Sequence, residues 1–270
     1  NHRGRREIIM TQIFENRVKR MLKEGKKTAG GWLQICSPIA AEIMSQAGFD
    51  WLMIDMEHGP GDVLMLISQI QAMQGYGVIP LVRAPWNDFV VIKRILDAGA
   101  YGVMVPYVNT KADAEAAVRA CRYPPEGIRG VARSPRAQGF GQKAQQYLTR
   151  ANEEILTIVQ IETAQGISNL DSILDVPGVD VIFIGPVDLA SSLGHLGDVN
   201  HPEVRAAIAT IETKVLKAKK ALGTVSPNWE KAKELYGRGY QMVMLMSDGT
   251  SLASMGAEIM AKFREAFPDV

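Results

Sequence analysis

The chain has 270 residues, of which 47% are hydrophobic and 22% charged, a composition typical of a globular protein with a large core. The formal net charge of +1 argues against a nucleic-acid or anionic-membrane partner. The two cysteines, Cys36 and Cys121, are too few for a disulfide framework or a cysteine-rich zinc site, and they favour a reducing cytoplasm.

The amino-terminal residues are basic but lack the apolar segment of a secretory signal, and no uncharged apolar run approaches the roughly 20 residues that span a bilayer. Met10 is a candidate natural start, so residues 1–10 are assigned as an extension. Residues 11–270 contain no linker or low-complexity tract and are expected to form a single domain, beginning with a helix over 11–24.

Eight short hydrophobic runs follow one another along the chain. Each run is continuous rather than alternating, which is typical of parallel strands buried on both faces. The predicted strands are 31–35, 51–56, 78–84, 101–107, 156–162, 180–185, 221–226 and 241–246.

Amphipathic segments separate these runs, and several begin with capping signals such as Ser37-Pro38 and His201-Pro202. Eight strand–helix pairs favour a (β/α)8 TIM barrel over an open doubly wound sheet. No G-x-G-x-x-G follows the first strand, which counts against a dinucleotide fold. The predicted helices are 38–47, 62–74, 88–98, 111–121, 165–174, 202–220, 228–237 and 249–266.

Residues 122–150 form the longest predicted irregular segment. A loop of this length in a compact domain is usually functional or faces a partner. Arg129, Arg133 and Arg136 make the segment basic. Such a charge run is most often solvated surface, although here it could reach an anionic substrate across a subunit interface.

A TIM barrel carries its active site at the carboxyl ends of its strands. Strand 2 ends in Asp55, Glu57 and His58, and strand 3 ends in Arg83. We therefore expect these side chains to converge at one mouth with the polar residues that end strands 5 and 6, which are Gln160, Glu162, Gly185, Pro186 and Asp188.

Glu162 and Asp188 are the strongest candidates for metal ligands. Two carboxylates at the ends of neighbouring strands, with room for water, suit a hard divalent cation such as Mg²⁺ or Mn²⁺. A strand-end salt bridge or a helix cap would explain the same pair.

An arginine at the end of a buried strand needs an anionic partner. Arg83 could pair with Asp55 or Glu57, or bind a carboxylate or oxyanion through its guanidinium fork. His58 could be a general base that Asp55 orients, although a lone strand-end histidine is more often structural.

Two further features have ordinary explanations. The Gly185-Pro186 turn could direct the backbone N–H groups of Val187 and Asp188 at an anion, but an ordinary strand–helix connection is favoured. His195 and His201 flank a later loop, where a solvated or capping role is favoured.

No lysine closes a predicted strand. A Schiff-base aldolase needs a desolvated lysine inside the barrel. The lysine positions therefore favour a metal ion as the electron sink, without a Schiff base or a nucleotide.

Several of these motifs occur together in a known family. The chain closely resembles the HpcH/HpaI family of metal-dependent, class II pyruvate aldolases from about Trp32 to about residue 260, in the same order. The stretches that carry the resemblance are GFDWLMIDMEHGP, VRAPWND, ILDAGAYGVMVPYVNT, ACRYPPEGIRG, VQIET and VDVIFIGPVDLA.

The resemblance implies a role for each of the strand-end residues. Glu162 and Asp188 correspond to the metal ligands, for Mg²⁺, Mn²⁺ or Co²⁺, and Asp55 and His58 to the base-forming dyad. The implied substrate-binding residues are Arg83, Gln160, Gly185, Pro186, Val187 and Asp188, with Arg83 as the pyruvate-binding arginine and Gln160 and Glu57 near metal-bound water.

The implied architecture is a (β/α)8 barrel whose last helix is exchanged between subunits, commonly in hexamers built as trimers of dimers. Residues of a neighbour's 122–140 region would then approach the pocket. The implied partners are pyruvate, other oxo acids and aldehydes, and a second copy of the chain.

The implied activity is cleavage or formation of 4-hydroxy-2-oxo acids, to or from pyruvate and an aldehyde, through a metal-bound pyruvate enolate, in aromatic or sugar-acid catabolism. One alternative is a decarboxylating, enolate-forming enzyme that takes oxaloacetate, like macrophomate synthase, which has a similar D-x-EHG stretch. Another is a barrel that binds oxo acids without turnover. Val187 replaces a residue that is often smaller in the family, so it bears on substrate choice.

Overall fold

The computed structural model describes residues 14–268. The predicted extension, residues 1–10, lies outside the described residues, as does the start of the helix predicted for 11–24. The described part of that prediction is α1, Arg17–Lys23, which begins after Asn16 because the Asn16 side chain accepts a hydrogen bond from the Lys19 backbone N–H.

Within the described residues, eight parallel strands form one closed barrel in which β8 returns to pair with β1. The predicted (β/α)8 architecture is confirmed, with strand ends shifted by at most three residues. The strands are β1 Thr28–Leu33, β2 Trp51–Asp55, β3 Ile79–Arg83, β4 Gly102–Val105, β5 Leu156–Ile161, β6 Val181–Ile184, β7 Ala221–Val225 and β8 Met242–Ser247.

The helices of the described chain surround this barrel. Most match their predicted ranges to within a few residues, because the capping signals that define them are used. After α1 they are α2 Pro38–Gln46, α3 Val63–Ala72, α4 Phe89–Ala98, α5 Lys111–Cys121, α6 Ala144–Glu154, α7 Ala164–Ser168, α8 Leu170–Leu174, α9 Pro186–Ser192, α10 Pro202–Lys217, α11 Trp229–Gly237 and α12 Asp248–Ala266.

The structure differs from the predicted helices and loops in three places. The helix predicted over 165–174 is divided at Asn169, whose side-chain amide donates to the carbonyl of Asn109. The segment 122–150 is less irregular than predicted, because it contains a 3-10 turn at Arg136–Gln138 and the first part of α6. The short helix α9, immediately after β6, was not predicted.

The strands separate two layers of core. Along β2, Trp51 and Met53 pack inside the barrel, whereas Leu52 and Ile54 pack between the strands and the helices. Val18 and Leu22 of α1 join the interior cluster. Because α1 thus covers the amino-terminal end of the barrel, the opposite end, where the polar strand ends lie, carries the candidate site.

Helix α12 is unlike the others. Asp248 is its only buried residue among those described, although the helix has 19 residues. Leu252, Met255, Ile259 and Phe263 recur at three- and four-residue spacing on its surface and are between 42% and 67% exposed. No helix of the described chain is both long and apolar enough to cross a membrane.

Candidate active site

The strands that end in predicted site residues deliver them to the same end of the barrel. β2 ends at Asp55 and β3 at Arg83, and these two residues are register partners. β5 ends immediately before Glu162, and β6 ends immediately before Gly185. The preceding positions Ile161 and Ile184 are also register partners, so the ends of β5 and β6 lie side by side, as the ends of β2 and β3 do.

Asp55 is the most heavily hydrogen-bonded carboxylate of this end. It is only 2% exposed, and Arg83 donates to it from Nε to Oδ1 at 3.0 Å and from Nη2 to Oδ2 at 2.6 Å. The indole Nε1 of Trp32 also donates to Oδ2, at 3.2 Å. Burial raises the pKa of Asp55, but the hydrogen bonds and charge of Arg83 outweigh it and hold the pKa below its usual range.

Arg83 contacts both of the acidic residues that the sequence offered as alternative partners, Asp55 and Glu57. Its Nη1 lies 2.9 Å from Oε2 of Glu57, in addition to the two contacts with Asp55. The guanidinium carbon also lies 4.9 Å from the centre of the Trp32 ring, in a cation–π contact. Since a guanidinium carries five N–H groups, two remain for another acceptor.

The structure does not contain the predicted contact between the Asp55 carboxylate and the His58 ring. Asp55 Oδ1 instead accepts the backbone N–H groups of Glu57 and His58, at 3.0 and 3.2 Å. The His58 side chain is 59% exposed, and its Nε2 lies 4.0 Å from Oε2 of Glu57. Arg83 occupies both Asp55 oxygens, so Glu57 is the acid beside the histidine.

Gly59 allows the chain to turn back after His58. A side-chain Cβ at this position would lie 2.2 Å from the carbonyl oxygen of Asp55. Together with the two backbone bonds to Asp55 Oδ1, this close approach fixes the direction in which Glu57 and His58 leave the strand.

Glu162 is held from two sides. Its Oε1 accepts the backbone N–H of Tyr107 at 2.8 Å, and its Oε2 accepts Nε2 of Gln160 at 3.0 Å. Tyr107 has a positive φ of 52°, an uncommon conformation for a residue with a side chain. The Oε1 atom of Gln160 is buried and has no hydrogen-bond partner among the described residues.

Gly185 lies directly against Glu162. A Cβ at Gly185 would be 2.4 Å from Oε2 and 3.1 Å from Cβ of Glu162, so a larger residue would displace the carboxylate. Pro186 then opens α9, and Asp188 lies in its first turn. No side chain among the described residues caps this helix, so the N–H groups of Val187 and Asp188 point out of its first turn without an intrahelical acceptor. Val187 itself is 56% exposed.

Four carboxylates and one guanidinium share this end of the barrel: Arg83 contacts Asp55 and Glu57, and Glu162 lies within range of the charges of Arg83, Glu57 and Asp188. Burial raises the pKa of Glu162 to about 7, and the charges of Asp188 and Glu57 act in the same direction. Burial also raises the pKa of Glu57, with Asp55 and Asp188 contributing. The excess of negative charge and the buried, unpaired Oε1 of Gln160 fit a divalent cation and its bound water.

The basic segment 122–150 contacts its own chain more than predicted. Arg129 is buried, and its guanidinium donates to Asp97 at 2.8 Å and to the Tyr147 hydroxyl at 3.0 Å. Arg136 donates to the carbonyl of Ala98. The solvated position favoured for this charge run is therefore wrong for Arg129, whereas Arg133 is exposed. An approach of the segment to a neighbouring subunit stays a prediction.

Sequence reasoning missed Trp32 and Tyr107. Trp32 was assigned to the first predicted strand without a role, although a tryptophan near a strand end offers a donor and a ring face. Tyr107 was assigned to the end of the fourth strand, but β4 ends at Val105. Tyr107 contributes to the site through its backbone N–H, a group that cannot be recognised from the type of residue.

Comparison with known proteins shows which family this chain matches and which proteins have similar sequences. The sequence profile described as HpcH/HpaI aldolase/citrate lyase matches residues 28–254. A protein named 5-keto-4-deoxy-D-glucarate aldolase, from Shigella dysenteriae serotype 1 (strain Sd197), is 43% identical over 236 residues, which are 87% of this chain and 92% of that protein.

Two solved structures have the same fold. An HpcH/HpaI aldolase/citrate lyase family protein from Burkholderia cenocepacia J2315 has a TM-score of 0.88 and 38% identity, and the match covers 92% of this chain and 99% of the other. Macrophomate synthase has a TM-score of 0.81 and 25% identity, with coverage of 92% and 88%.

Proposed function

The chain belongs to the HpcH/HpaI aldolase/citrate lyase family and is a carbon–carbon lyase. On this basis we propose which reaction it catalyses and which residues perform it. The proposed reaction is reversible aldol cleavage of a 4-hydroxy-2-oxo acid into pyruvate and an aldehyde. A 4-deoxy-keto sugar acid, such as 5-keto-4-deoxy-D-glucarate, is the proposed substrate class, because the relative of that name is 43% identical over most of the chain.

Glu162 and Asp188 are the proposed ligands of a divalent cation, Mg²⁺, Mn²⁺ or Co²⁺. Carboxylate oxygens are the donors that these hard cations prefer. The observation that carries the proposal is the buried Oε1 of Gln160, which lacks a partner beside Glu162 and would accept a cation-bound water. When bound, the cation supplies Lewis-acid stabilisation of the negative charge that develops on the 2-oxo acid.

Arg83 is the proposed anchor of the substrate carboxylate or its developing oxyanion. Asp55 and Glu57 hold three of its N–H groups, which fixes the guanidinium plane and leaves the other two for the substrate. The free N–H groups of Val187 and Asp188 support the same role from the end of β6. Gly185 and Pro186 keep this turn close to Glu162.

His58 is the proposed proton-transfer group, acting on the methyl protons of pyruvate and the C4 hydroxyl of the aldol. Its ring is exposed at the mouth, as a group that exchanges protons with substrate and water needs to be. Glu57 lies beside the ring at 4.0 Å and also contacts Arg83, so it links the base to the substrate anchor. In this assignment Asp55 orients Arg83 and the backbone of His58, rather than the imidazole.

The decisive experiment is pyruvate formation from a panel of 4-hydroxy-2-oxo acids, with untreated protein, EDTA-treated protein and protein re-supplied with each cation. We expect EDTA to abolish activity and Mg²⁺, Mn²⁺ or Co²⁺ to restore it. Glu162→Gln should remain inactive at every cation concentration, whereas Glu230→Gln, which removes an exposed carboxylate elsewhere, should behave as wild type.

Full activity after complete cation removal would contradict the proposed mechanism. Rapid oxaloacetate decarboxylation without pyruvate formation from any aldol would instead favour an enolate-forming decarboxylase. The likeness to macrophomate synthase and the shared D-x-EHG stretch are the reasons to include that substrate.

A homo-oligomer, a hexamer of exchanged dimers, is the proposed assembly. The exposed apolar face of α12 is larger than the apolar patches that monomeric proteins usually expose to water. Helix α2 also exposes two apolar side chains four residues apart, Ile39 and Ile43, which are 69% and 64% accessible. Seating α12 on a neighbouring barrel would cover both surfaces. Ile259→Asp combined with Phe263→Asp should yield monomers in analytical ultracentrifugation, and an unchanged mass would contradict the exchange.

A cytoplasmic location is also proposed. Both cysteines are free thiols, and Cys121 is fully buried, so neither contributes to a structural disulfide. Fractionation of expressing cells would test the location.

A further inference from the structure

A cluster of metal-ligating side chains lies outside the candidate active site. His195 follows α9, and His201 and Glu203 lie at the beginning of α10. Asp188 is in the first turn of α9, whereas His195 lies seven residues further on, beyond the end of that helix at Ser192. No hydrogen bond or ion pair of the described chain joins this cluster to Asp188 or Glu162.

The cluster is compact. The two imidazole rings stack with their centres 3.5 Å apart and their planes inclined by 17°. Nε2 of His195 lies 2.8 Å from Oε2 of Glu203. One ring nitrogen of each histidine and one carboxylate oxygen lie within 4.8 Å of one another. Because the lone pair of an imidazole nitrogen lies in the ring plane, the two rings must turn out of the stack to share one cation.

The backbone around both histidines is fixed. The His195 N–H donates to the carbonyl of Ala190 at 2.8 Å, and its carbonyl accepts from Asp198 at 2.9 Å. The His201 carbonyl accepts from Arg205 at 3.0 Å, in the first turn of α10. The two rings are therefore brought together by the hydrogen-bonded connection between α9 and α10.

The donor set selects the class of cation. Two imidazoles and one carboxylate suit Zn²⁺, Ni²⁺ or Cu²⁺ better than Mg²⁺, which prefers oxygen and retains its water. The amino-terminal end of α10 carries a partial positive charge that opposes a cation, and the carboxylate of Glu203 offsets it. The barrel mouth, with carboxylates and a carboxamide, has the opposite preference.

The predicted role for His201 also exists in the structure. Its Nδ1 accepts the Glu203 backbone N–H at 3.3 Å, as a helix cap does. This long bond leaves Nε2 as the free nitrogen of His201, whereas a cap alone explains neither the second ring stacked against it nor the carboxylate beside that ring.

We propose that His195, His201 and Glu203 form a second site for a borderline divalent transition metal such as Zn²⁺, distinct from the cation site at the barrel mouth. Binding would join the connection after α9 to the first turn of α10 through three side chains. The proposal does not depend on the aldolase reaction.

The test counts metal ions bound to the full chain. Because His2 also carries an imidazole, all proteins include His2→Ala. Bound Zn²⁺ is measured after equilibrium dialysis in excess Mg²⁺, and Cu²⁺-loaded samples are examined by electron paramagnetic resonance.

His195→Gln with His201→Asn removes both imidazoles of the cluster. The carboxamide introduced at position 201 retains an oxygen that can cap α10. His58→Gln, which removes the remaining imidazole, is the matched control.

We expect one fewer bound Zn²⁺ per chain in the His195→Gln, His201→Asn protein, with the Zn²⁺ dissociation constant of this site raised about tenfold or more. The Cu²⁺ spectrum should lose its nitrogen splitting in that protein and keep it in the His58→Gln control. Glu203→Gln should weaken Zn²⁺ binding without changing the nitrogen splitting. Equal Zn²⁺ counts in the parent and the double variant, or nitrogen splitting that follows His58, would overturn the proposal.

Discussion

Asp55 and Arg83 are register partners on neighbouring strands, and the guanidinium meets both oxygens of the carboxylate, at 3.0 and 2.6 Å. Both side chains are buried, with 0% of Asp55 and 10% of Arg83 exposed. A buried ion pair of this geometry is costly to break, because the remaining charge has no water to replace its partner. The pair is therefore a structural element of the mouth as well as part of its chemistry.

Arg83→Ala should lower both activity and stability. Loss of the guanidinium leaves Asp55 and Glu57 unpaired, and we expect a decrease of roughly 3–5 kcal/mol in the free energy of unfolding. Denaturant titration measures the loss, with Arg20→Ala, whose exposed pair with Glu15 should contribute about 0–1 kcal/mol, as the control.

Arg83→Lys separates the two effects of that residue. The ammonium retains the charge but not the planar fork, so it should keep more stability than alanine and still lose most proton exchange at C3 of pyruvate. Wild-type exchange in Arg83→Lys would contradict the proposal that the guanidinium anchors the substrate.

Trp32→Phe should reduce enolisation several-fold while costing about 1 kcal/mol of stability, since it removes one hydrogen bond to Asp55 and keeps a ring beside Arg83. Trp51→Phe is the matched control. It removes an equivalent indole donor, to the Thr28 hydroxyl at 3.1 Å, near the opposite end of the barrel. Equal kinetic effects in the two variants would show that Trp32 is only a packing residue.

Gly185→Ala should weaken cation binding and leave the barrel folded. The added methyl group would lie 2.4 Å from Oε2 of Glu162, so the carboxylate must move. Calorimetric titration with Mn²⁺ measures the effect, which we expect to exceed about tenfold in the dissociation constant. At Gly237 nothing lies within 4 Å, so Gly237→Ala is the control and should bind Mn²⁺ as wild type does.

The raised pKa of Glu162, about 7 against an ordinary value of 4.5, predicts two opposite pH effects. Without a cation, the folded protein favours the protonated carboxyl, so this group contributes most stability below pH 4.5 and loses it as the pH rises through about 7. Cation binding requires the ionised form, so the Mg²⁺ affinity should fall by up to about tenfold per pH unit below 7.

Thermal unfolding between pH 5 and pH 8, with and without Mg²⁺, measures both effects. Glu162→Gln should lose the pH-dependent part of the metal-free curve and most of the response to Mg²⁺. A Mg²⁺ response that is independent of pH in the wild-type protein would be inconsistent with Glu162 as a ligand.

Glu57→Gln and Asp55→Asn distinguish two arrangements of the proton-transfer group. In the structure the acid beside the His58 ring is Glu57, so Glu57→Gln should lower proton exchange at C3 of pyruvate by removing the carboxylate beside the imidazole. Asp55→Asn should lower kcat mainly by releasing Arg83. Wild-type proton exchange in Glu57→Gln, together with its loss in Asp55→Asn, would instead favour the Asp55–His58 dyad that the sequence suggested.

The sequence by itself determined the barrel and the identity of its mouth. Continuous apolar runs such as 51–56 and 156–162 can be read as buried parallel strands without any tertiary information, because both faces of such strands are covered. Residues at the carboxyl ends of those strands then meet by topology alone, which is why the sequence could group Asp55, Arg83 and Glu162 as one candidate site.

Tertiary structure alone decided which groups at the mouth touch one another. Residue types cannot show that Asp55 faces Arg83 rather than the His58 ring, because that depends on the register of β2 with β3 and on the turn at Gly59. Nor can they reveal the Tyr107 backbone N–H that holds Glu162, since every residue type except proline carries that group. The position of a residue along its strand determines at which end of the barrel its side chain lies. Its hydrogen-bond partners depend on distances of a few ångströms between atoms of separate strands, which the sequence does not contain.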